Sequence, residues 1–238
     1  MGARIERLDW DSAFFGVPIV RVRSDASDDL DAVAREADAD DVACTYLMTE
    51  PPSIGGAGAP EQAGFFLVDV QLELVRSLQD AIAHDHAPVR AGRPADAAGL
   101  DPVLDELAPW SRFAVDPGFG LAAARRLYGA WLERALRHED ELVLVAEHHE
   151  QPIGFVTCAF DPEPTIGLIG TTESGRGTGK ALFAGVVARA REHRETRSLH
   201  VRTQARNVRA LSYYARVGFA VTAAQYVYHR WHDEGPRP

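Results

Sequence analysis

The chain has 238 residues, a formal net charge of −10, and 46% apolar and 25% charged residues. This composition suits a packed globular protein, and the length allows one large core or two modest ones. The acidic balance opposes generic nucleic-acid binding, no apolar run reaches bilayer-spanning length, and no secretory or myristoylation pattern opens the sequence; the expectation is a cytoplasmic protein with a small-molecule partner, no membrane and no nucleic acid.

In chain order, "IVRVR" (19–23) alternates like a half-buried strand, "DDLDAVAREA" (28–37) has helical spacing, and "ACTYLM" (43–48) is again strand-like. "PPSIGGAGAPEQAG" (51–64) reads as a loop, and "FFLVDVQLELVRSL" (65–78) as a long strand with Val68, Val70, Leu72 and Leu74 on one face. The polar stretch 84–99, with two prolines, reads as a linker, which divides the chain into 1–85 and 86–238. Its His84-Asp85-His86 triplet reads as solvated rather than as a metal site, and no metal is expected. Cys44 and Cys158 lie in strand-like runs and read as buried thiols.

Beyond the linker, 119–138 carries an amphipathic stripe of Leu127, Tyr128, Trp131, Leu132, Ala135 and Leu136. "ELVLVAEHHEQPIGFVTCAF" (141–160) reads as a hairpin whose turn residues Glu147, His148 and His149 are solvated, and "TIGLIGTT" (165–172) as a third strand. A helix through Leu182, Val186 and Ala190, a strand at 198–204, a helix from about Val208 to Val217 and a strand at 221–231 complete a mixed α/β order. Asn207 fits the start of the last helix and Gly218 its end, with Tyr214 on its packed face and Tyr213 about 100° away.

Between the third strand and its helix lies "GTTESGRGTGKAL" (170–182). A glycine-rich strand-to-helix turn exposes unpaired first-turn amides, an anion site suited to phosphate. The Walker A pattern fails at both ends, with Ser174 in the first glycine's place and Ala181 in the hydroxyl's, and G-x-G-x-G is not the dinucleotide fingerprint. The spacing resembles the pyrophosphate loop of the GNAT superfamily of acyl-CoA-dependent N-acyltransferases, with Gly177 and Gly179 in the last two places and Ser174 replacing the usual Arg or Gln. "NVRALSYYARVGF" (207–219) resembles that family's segment after its fifth strand. The resemblance implies a mixed, mostly antiparallel sheet flanked by helices, with a partial GNAT-like unit over 1–85 preceding the complete one over 86–238. It implies acetyl-CoA as co-substrate, gripped by Ser174, Gly175, Arg176, Gly177, Thr178, Gly179 and Lys180, with Asn207 alongside. The pantetheine would lie between strands that splay apart, against backbone groups of Leu168, Ile169 and Gly170, one of them an amide for the thioester oxygen. Tyr214 would be the general acid; no general base is visible.

The outer motifs "LDWDSAFFGVPIVRV" (8–22), "SRFAVDPGF" (111–119), "LYGAWL" (127–132) and "YHRW" (228–231) resemble a narrower group, the bacterial TDP-fucosamine acetyltransferases. Apart from that, Trp10, Phe14 and Phe15 read as core aromatics, and Arg112 and Asp116 as surface charges. The implied acceptor is a small-molecule amine, such as a nucleotide-linked amino sugar. A catalytically idle acyl-CoA-binding module and a transferase for peptide amines stay open, as does the oligomeric state, a homodimer included.

Overall fold

A computed structural model describes residues 4–23, 30–39, 42–51, 59–80, 88–138, 140–161, 163–172, 177–192 and 196–232. First come β1 (Arg4–Arg7), α1 (Asp9–Phe15), β2 (Ile19–Arg23), α2 (Leu30–Ala39), β3 (Cys44–Thr49), α3 (Ala59–Gln62) and β4 (Phe66–Ser77). Then follow β5 (Val89–Ala91), α4 (Asp101–Leu107), α5 (Arg112–Val115), α6 (Gly120–Arg137), β6 (Glu141–His148) and β7 (Gln151–Ala159). β8 (Thr165–Thr171), α7 (Thr178–Glu192), β9 (Ser198–Gln204), α8 (Val208–Arg216) and β10 (Ala220–Trp231) close the order.

The ten strands form one sheet, in the order β1-β2-β3-β10-β4-β9-β8-β7-β6-β5. Only β2 with β3 and β8 with β9 run parallel; the other neighbours are antiparallel. The division expected at 85/86 falls among 81–87, outside the described residues, as does the triplet His84-Asp85-His86. β4 sits between β10 and β9, so strands from both sides of that division share one hydrogen-bonded surface.

Side chains alternate across the strands and build two layers. Val143, Val145 and Phe155 face a core made with Phe15 and with α4, α5 and α6. Leu144, Ala146, Val156 and Cys158 face the opposite core, made with α7 and α8. The stripe read from α6 is buried at Leu127, Tyr128, Leu132, Ala135 and Leu136 but not at Trp131, which stays 37% exposed. Cys44 and Cys158 are free and buried. The β6–β7 turn places His149 and Glu150 at positive φ, 50° and 63°, the two-residue geometry that matches strand twist.

The stretch read as a linker is structured where it is described. β5 adds an edge to β6. Arg90 reaches both Asp96, at 2.8 Å, and Glu147 of the hairpin. Periodicity could not find a three-residue strand, because its order comes from the partner strand and from this ion pair.

Three outer motifs meet in one buried knot. Phe15, Phe113 and Phe119 pack with centroids 4.5 to 5.3 Å apart. Asp116, fully buried, accepts from the Gly118 N–H at 2.7 Å and lies 2.6 Å from His229 Nδ1; the Trp231 indole N–H reaches it at 3.1 Å. Asp116 is therefore no surface charge, and Arg112 lies over the Tyr46 and Phe113 rings at 5.0 and 4.6 Å. Of the aromatics near the N-terminus, Phe15 is buried but Trp10 is 44% exposed, stacked on Phe14.

Burial above all, with the Arg112 charge adding to it and the Asp116 hydrogen bond opposing, holds His229 down to about 4. The unfolded chain takes up a proton near pH 6.5 that the folded chain refuses until about pH 4. This contribution to stability is complete above 6.5 and is lost as pH falls through that window, by about 3 kcal/mol at its end. Denaturant unfolding at pH 7.5 and 4.5 should show a larger loss in the native chain than in His229→Asn, which keeps a donor for Asp116. Equal losses would remove His229 as the cause.

Candidate active site

β8 and β9 pair only at Thr165↔His200 and Ile166↔Val201. β9 stays bound to β4 from Ser77↔Ser198 to Gln71↔Gln204, and β8 stays bound to β7 as far as Gly154↔Thr171. Each strand follows its outer neighbour, so beyond Ile166 a gap opens between them. It leads into a cavity of about 740 Å3 that reaches both layers of the fold.

On the α7–α8 side the cavity is lined by Gly177, Thr178, Gly179 and Lys180, by Asn207, and by Tyr213 and Tyr214. Gly177 has φ +76°, the left-handed region that favours glycine, and its carbonyl accepts from the Ala181 N–H at 3.0 Å, starting α7. Helix geometry then leaves the N–H groups of Thr178, Gly179 and Lys180 without partners inside the helix. Thr178 is buried and Lys180 exposed. Ser174, Gly175 and Arg176, expected to grip the same ligand, lie outside the described residues, as does Glu173.

α8 begins where its sequence says, with the Asn207 side-chain oxygen accepting from the Ala210 N–H at 3.1 Å, and Gly218 follows its end at φ +91°. Its two tyrosines differ in what their hydroxyls do. Tyr213 donates to the Gly179 carbonyl at 2.7 Å, tying α8 to the first turn of α7. Tyr214 is buried edge-on against Phe219 at 5.4 Å and lines the cavity, where no such tie to the first turn of α7 is made. Burial, and to a lesser degree Tyr213, raises the Tyr214 phenol well above its ordinary value, so its proton is in place throughout the neutral range.

Leu168, Ile169 and Gly170 line the gap. The Leu168 N–H donates to Thr157 Oγ1 at 3.0 Å, towards β7, and is therefore spent within the protein. Backbone groups alternate direction along a strand, which turns Ile169 to the other edge, where pairing with β9 has ceased. Gly170 lies under α4: a Cβ there would come within 2.8 Å of Val103 and 2.9 Å of Leu107, so only glycine allows this approach.

The α4–α6 side brings residues that the motifs had not marked for the site. Glu106, Leu107, Trp110, Ser111, Arg112, Tyr128 and Trp131 line this half, with Asp69 and Gln71 from β4. Trp131 stacks on Tyr128 at 5.2 Å, which gives the helical stripe's exposed member a wall to form. Arg206 clamps the carbonyls of Pro109, Trp110 and Ser111 at 2.6 to 3.2 Å, holding this rim against the β9–α8 turn. Among the described residues, five cations, Arg112, Lys180, Arg202, Arg209 and Arg216, line the cavity against two carboxylates, Asp69 and Glu106. The local balance is thus opposite in sign to the chain's net −10 and suits a polyanionic ligand.

Comparison with known proteins agrees with this arrangement. Residues 104–219 match the model of the acetyltransferase (GNAT) family. The chain is 29% identical to the dTDP-fucosamine acetyltransferase of Escherichia coli O6:H1 over 96% of this chain and 98% of that protein. It is 28% identical to the spore coat polysaccharide biosynthesis protein SpsD of Bacillus subtilis over 58% of this chain, and that match spans about half, 48%, of SpsD. In fold it resembles a functionally unknown conserved protein from Staphylococcus epidermidis (TM-score 0.66, 15% identity, 91% of this chain and 85% of that one). It also resembles a GCN5-related N-acetyltransferase from Sphaerobacter thermophilus (TM-score 0.63, 16% identity, 99% and 77%). The sheet that parts between β8 and β9, the glycine-rich entry to α7 and the family match give one conclusion: residues 104–219 carry a domain of the GNAT family of acetyltransferases.

Proposed function

We propose that the protein transfers an acetyl group from acetyl-CoA to the primary amine of a small molecule, and that a nucleotide-linked amino sugar is the acceptor to try first. The observation that carries the reading is the gap between β8 and β9, with the first turn of α7 at one mouth and the Tyr214 hydroxyl beside it. The first-turn amides of Thr178, Gly179 and Lys180, with Ser174, Gly175 and Arg176 before them, would hold the CoA diphosphate, and Asn207 would contact its neighbouring part. Thioester and pantetheine would lie along Leu168, Ile169 and Gly170. With the Leu168 amide engaged, the Ile169 N–H is the donor left for the oxygen that becomes negative as the amine attacks. Tyr214 would then protonate the leaving sulfur.

The acceptor would enter from the α4–α6 side, so the N-terminal segment read as a partial domain, 1–85, would share the site with 86–238 through Asp69 and Gln71. The name of the E. coli relative supports an amino sugar linked to a nucleotide, and the stacked Tyr128 and Trp131 offer a flat apolar wall of the kind a sugar or base packs on. A homodimer is compatible with this reading.

The test is thiol release from acetyl-CoA across nucleotide-linked amino sugars, free amino sugars, polyamines and peptides. The expected result is turnover highest with a nucleotide-linked amino sugar. Turnover highest with peptides would redirect the acceptor, and calorimetric binding of acetyl-CoA with no thiol released by any amine would replace the enzyme with a binding module.

A further inference from the structure

The sheet parts beyond Ile166, so no hydrogen-bond ladder holds the end of β9 to β8 there. α4 rides on the β8 wall, its Val103 and Leu107 close over Gly170. Past Leu107 a tight helical turn covers Ala108–Trp110, and the chain extends at Ser111, with φ −63° and ψ 144°, before α5 begins. The last carbonyls of a helical segment have no partners within it. Those of Pro109 and Trp110 accept from the Arg206 guanidinium at 3.2 and 2.6 Å, and the Ser111 carbonyl does so at 3.0 Å. The centre of the guanidinium also lies 5.8 Å from the Trp110 ring centroid. One side chain from just past β9 thus reaches across the gap and grips the element that covers β8.

The base of that side chain is fixed. The Ala205 N–H donates to the Val70 carbonyl of β4 at 2.7 Å, the Asn207 N–H donates to the Gln204 carbonyl at 2.9 Å, and the Arg206 carbonyl accepts from the Val208 N–H at 3.0 Å. Arg206 itself is exposed and is not a lining residue of the cavity, whereas Trp110, Ser111 and Arg112 on one side of it, and Gln204 and Asn207 on the other, are. Its charge is nevertheless felt inside: burial pushes Asp69, at 5% exposure, up to about 6, and Arg206 heads the groups that pull it back, ahead of Arg112. α5 is therefore anchored at both ends, at Asp116 by the knot and before Arg112 by Arg206.

We infer that Arg206 is a positioning residue for the acceptor: its guanidinium straps the α4–α5 joint, which rides on β8, to the turn after β9, and so fixes how Trp110 and Arg112 stand over the entrance to the gap. This rests on the transferase reading above. A guanidinium offers five donors in a rigid fork, which suits three carbonyls converging from one turn, where an ammonium would hold fewer. Because these bonds are largely exposed to water, their loss loosens the joint without threatening the fold.

The experiment compares the native chain with Arg206→Met, which keeps the stem but no donor, and Arg206→Lys, which keeps a charge and fewer donors. The probe is TDP-linked 4-amino-4,6-dideoxygalactose or, if the panel above finds a faster amine, that amine. In Arg206→Met the KM for the acceptor should rise about tenfold, with kcat and the Kd for acetyl-CoA within about twofold of native. Arg206→Lys should recover part of this, with KM raised only about threefold. The melting temperature of Arg206→Met should fall by no more than about 3 °C. Acrylamide quenching of the Trp110 emission, taken as the difference from the same chain carrying Trp110→Phe, should increase in Arg206→Met, because the joint has come loose. A KM within about twofold of native, or unchanged quenching of Trp110, would overturn the assignment. So would kcat, KM and acetyl-CoA affinity all worsening together with a larger fall in melting temperature. A native chain that binds no acetyl-CoA, or acetylates nothing, would instead defeat the transferase reading, and the positioning role with it.

Discussion

Tyr214→Phe is expected to lower kcat about 1,000-fold while leaving the Kd for acetyl-CoA nearly unchanged. The ring supports the core through its edge-on contact with Phe219, and phenylalanine preserves that contact, so a loss of rate would report the hydroxyl alone. Tyr213 gives the control on the same helix. Its hydroxyl is committed to the Gly179 carbonyl, so Tyr213→Phe should loosen the first turn of α7 and weaken acetyl-CoA binding a few-fold, with a small effect on kcat. Calorimetry and single-turnover thiol release would separate these outcomes. Native turnover in Tyr214→Phe would remove the general acid from the proposed mechanism.

The second large effect concerns stability. Asp116→Ala should cost about 3–5 kcal/mol, because the Gly118 N–H, the Trp231 indole N–H and His229 Nδ1–H, its buried or partly buried partners, would all lose their acceptor. His229 is neutral at pH 7, and the proton on Nδ1 is the arrangement that satisfies Asp116. The indole cannot shift away easily, since it lies on the Gly118 backbone, where a Cβ would fall 2.1 Å from the ring. Equilibrium unfolding measures the loss directly. A change below about 1 kcal/mol would mean that the knot relaxes and its hydrogen bonds are replaced by water. Acetyl-CoA affinity at a temperature where the variant stays folded should be preserved, because no member of the knot faces α7.

Much of the C-terminal half was legible in sequence because local signals agree there. α7 repeats Leu182, Val186 and Ala190 at helical spacing, α8 carries its own start in Asn207 and its stop in Gly218, and β8 leads straight into the glycines. The family resemblance that those glycines carry implied strands that part, and β8 and β9 do so beyond Ile166. What escaped were features made by contacts distant in sequence. Asp116 reads as a surface charge, and its buried partners His229 and Trp231 come over a hundred positions later. α4 and α5 are short, and their order comes from packing on α6 and on Gly170 rather than from periodicity. Asp69 is one acidic residue in an alternating strand, where alternation alone assigns it to solvent. Its burial is the work of neighbours on α5 and the β9–α8 turn, and no pattern within β4 records them.

The place of β4 at the centre of the sheet also bears on how the chain is made. Both of its neighbours, β9 and β10, leave the ribosome after it, the second ending at Trp231 while β4 ends at Ser77. At a synthesis rate of about 5–20 residues per second, β9 is complete only about 6–25 seconds after β4, and until then this central strand has both edges bare. The nascent protein should therefore depend on a chaperone that shields strand edges during translation, and slowing the ribosome across the last third of the message should lower the soluble yield.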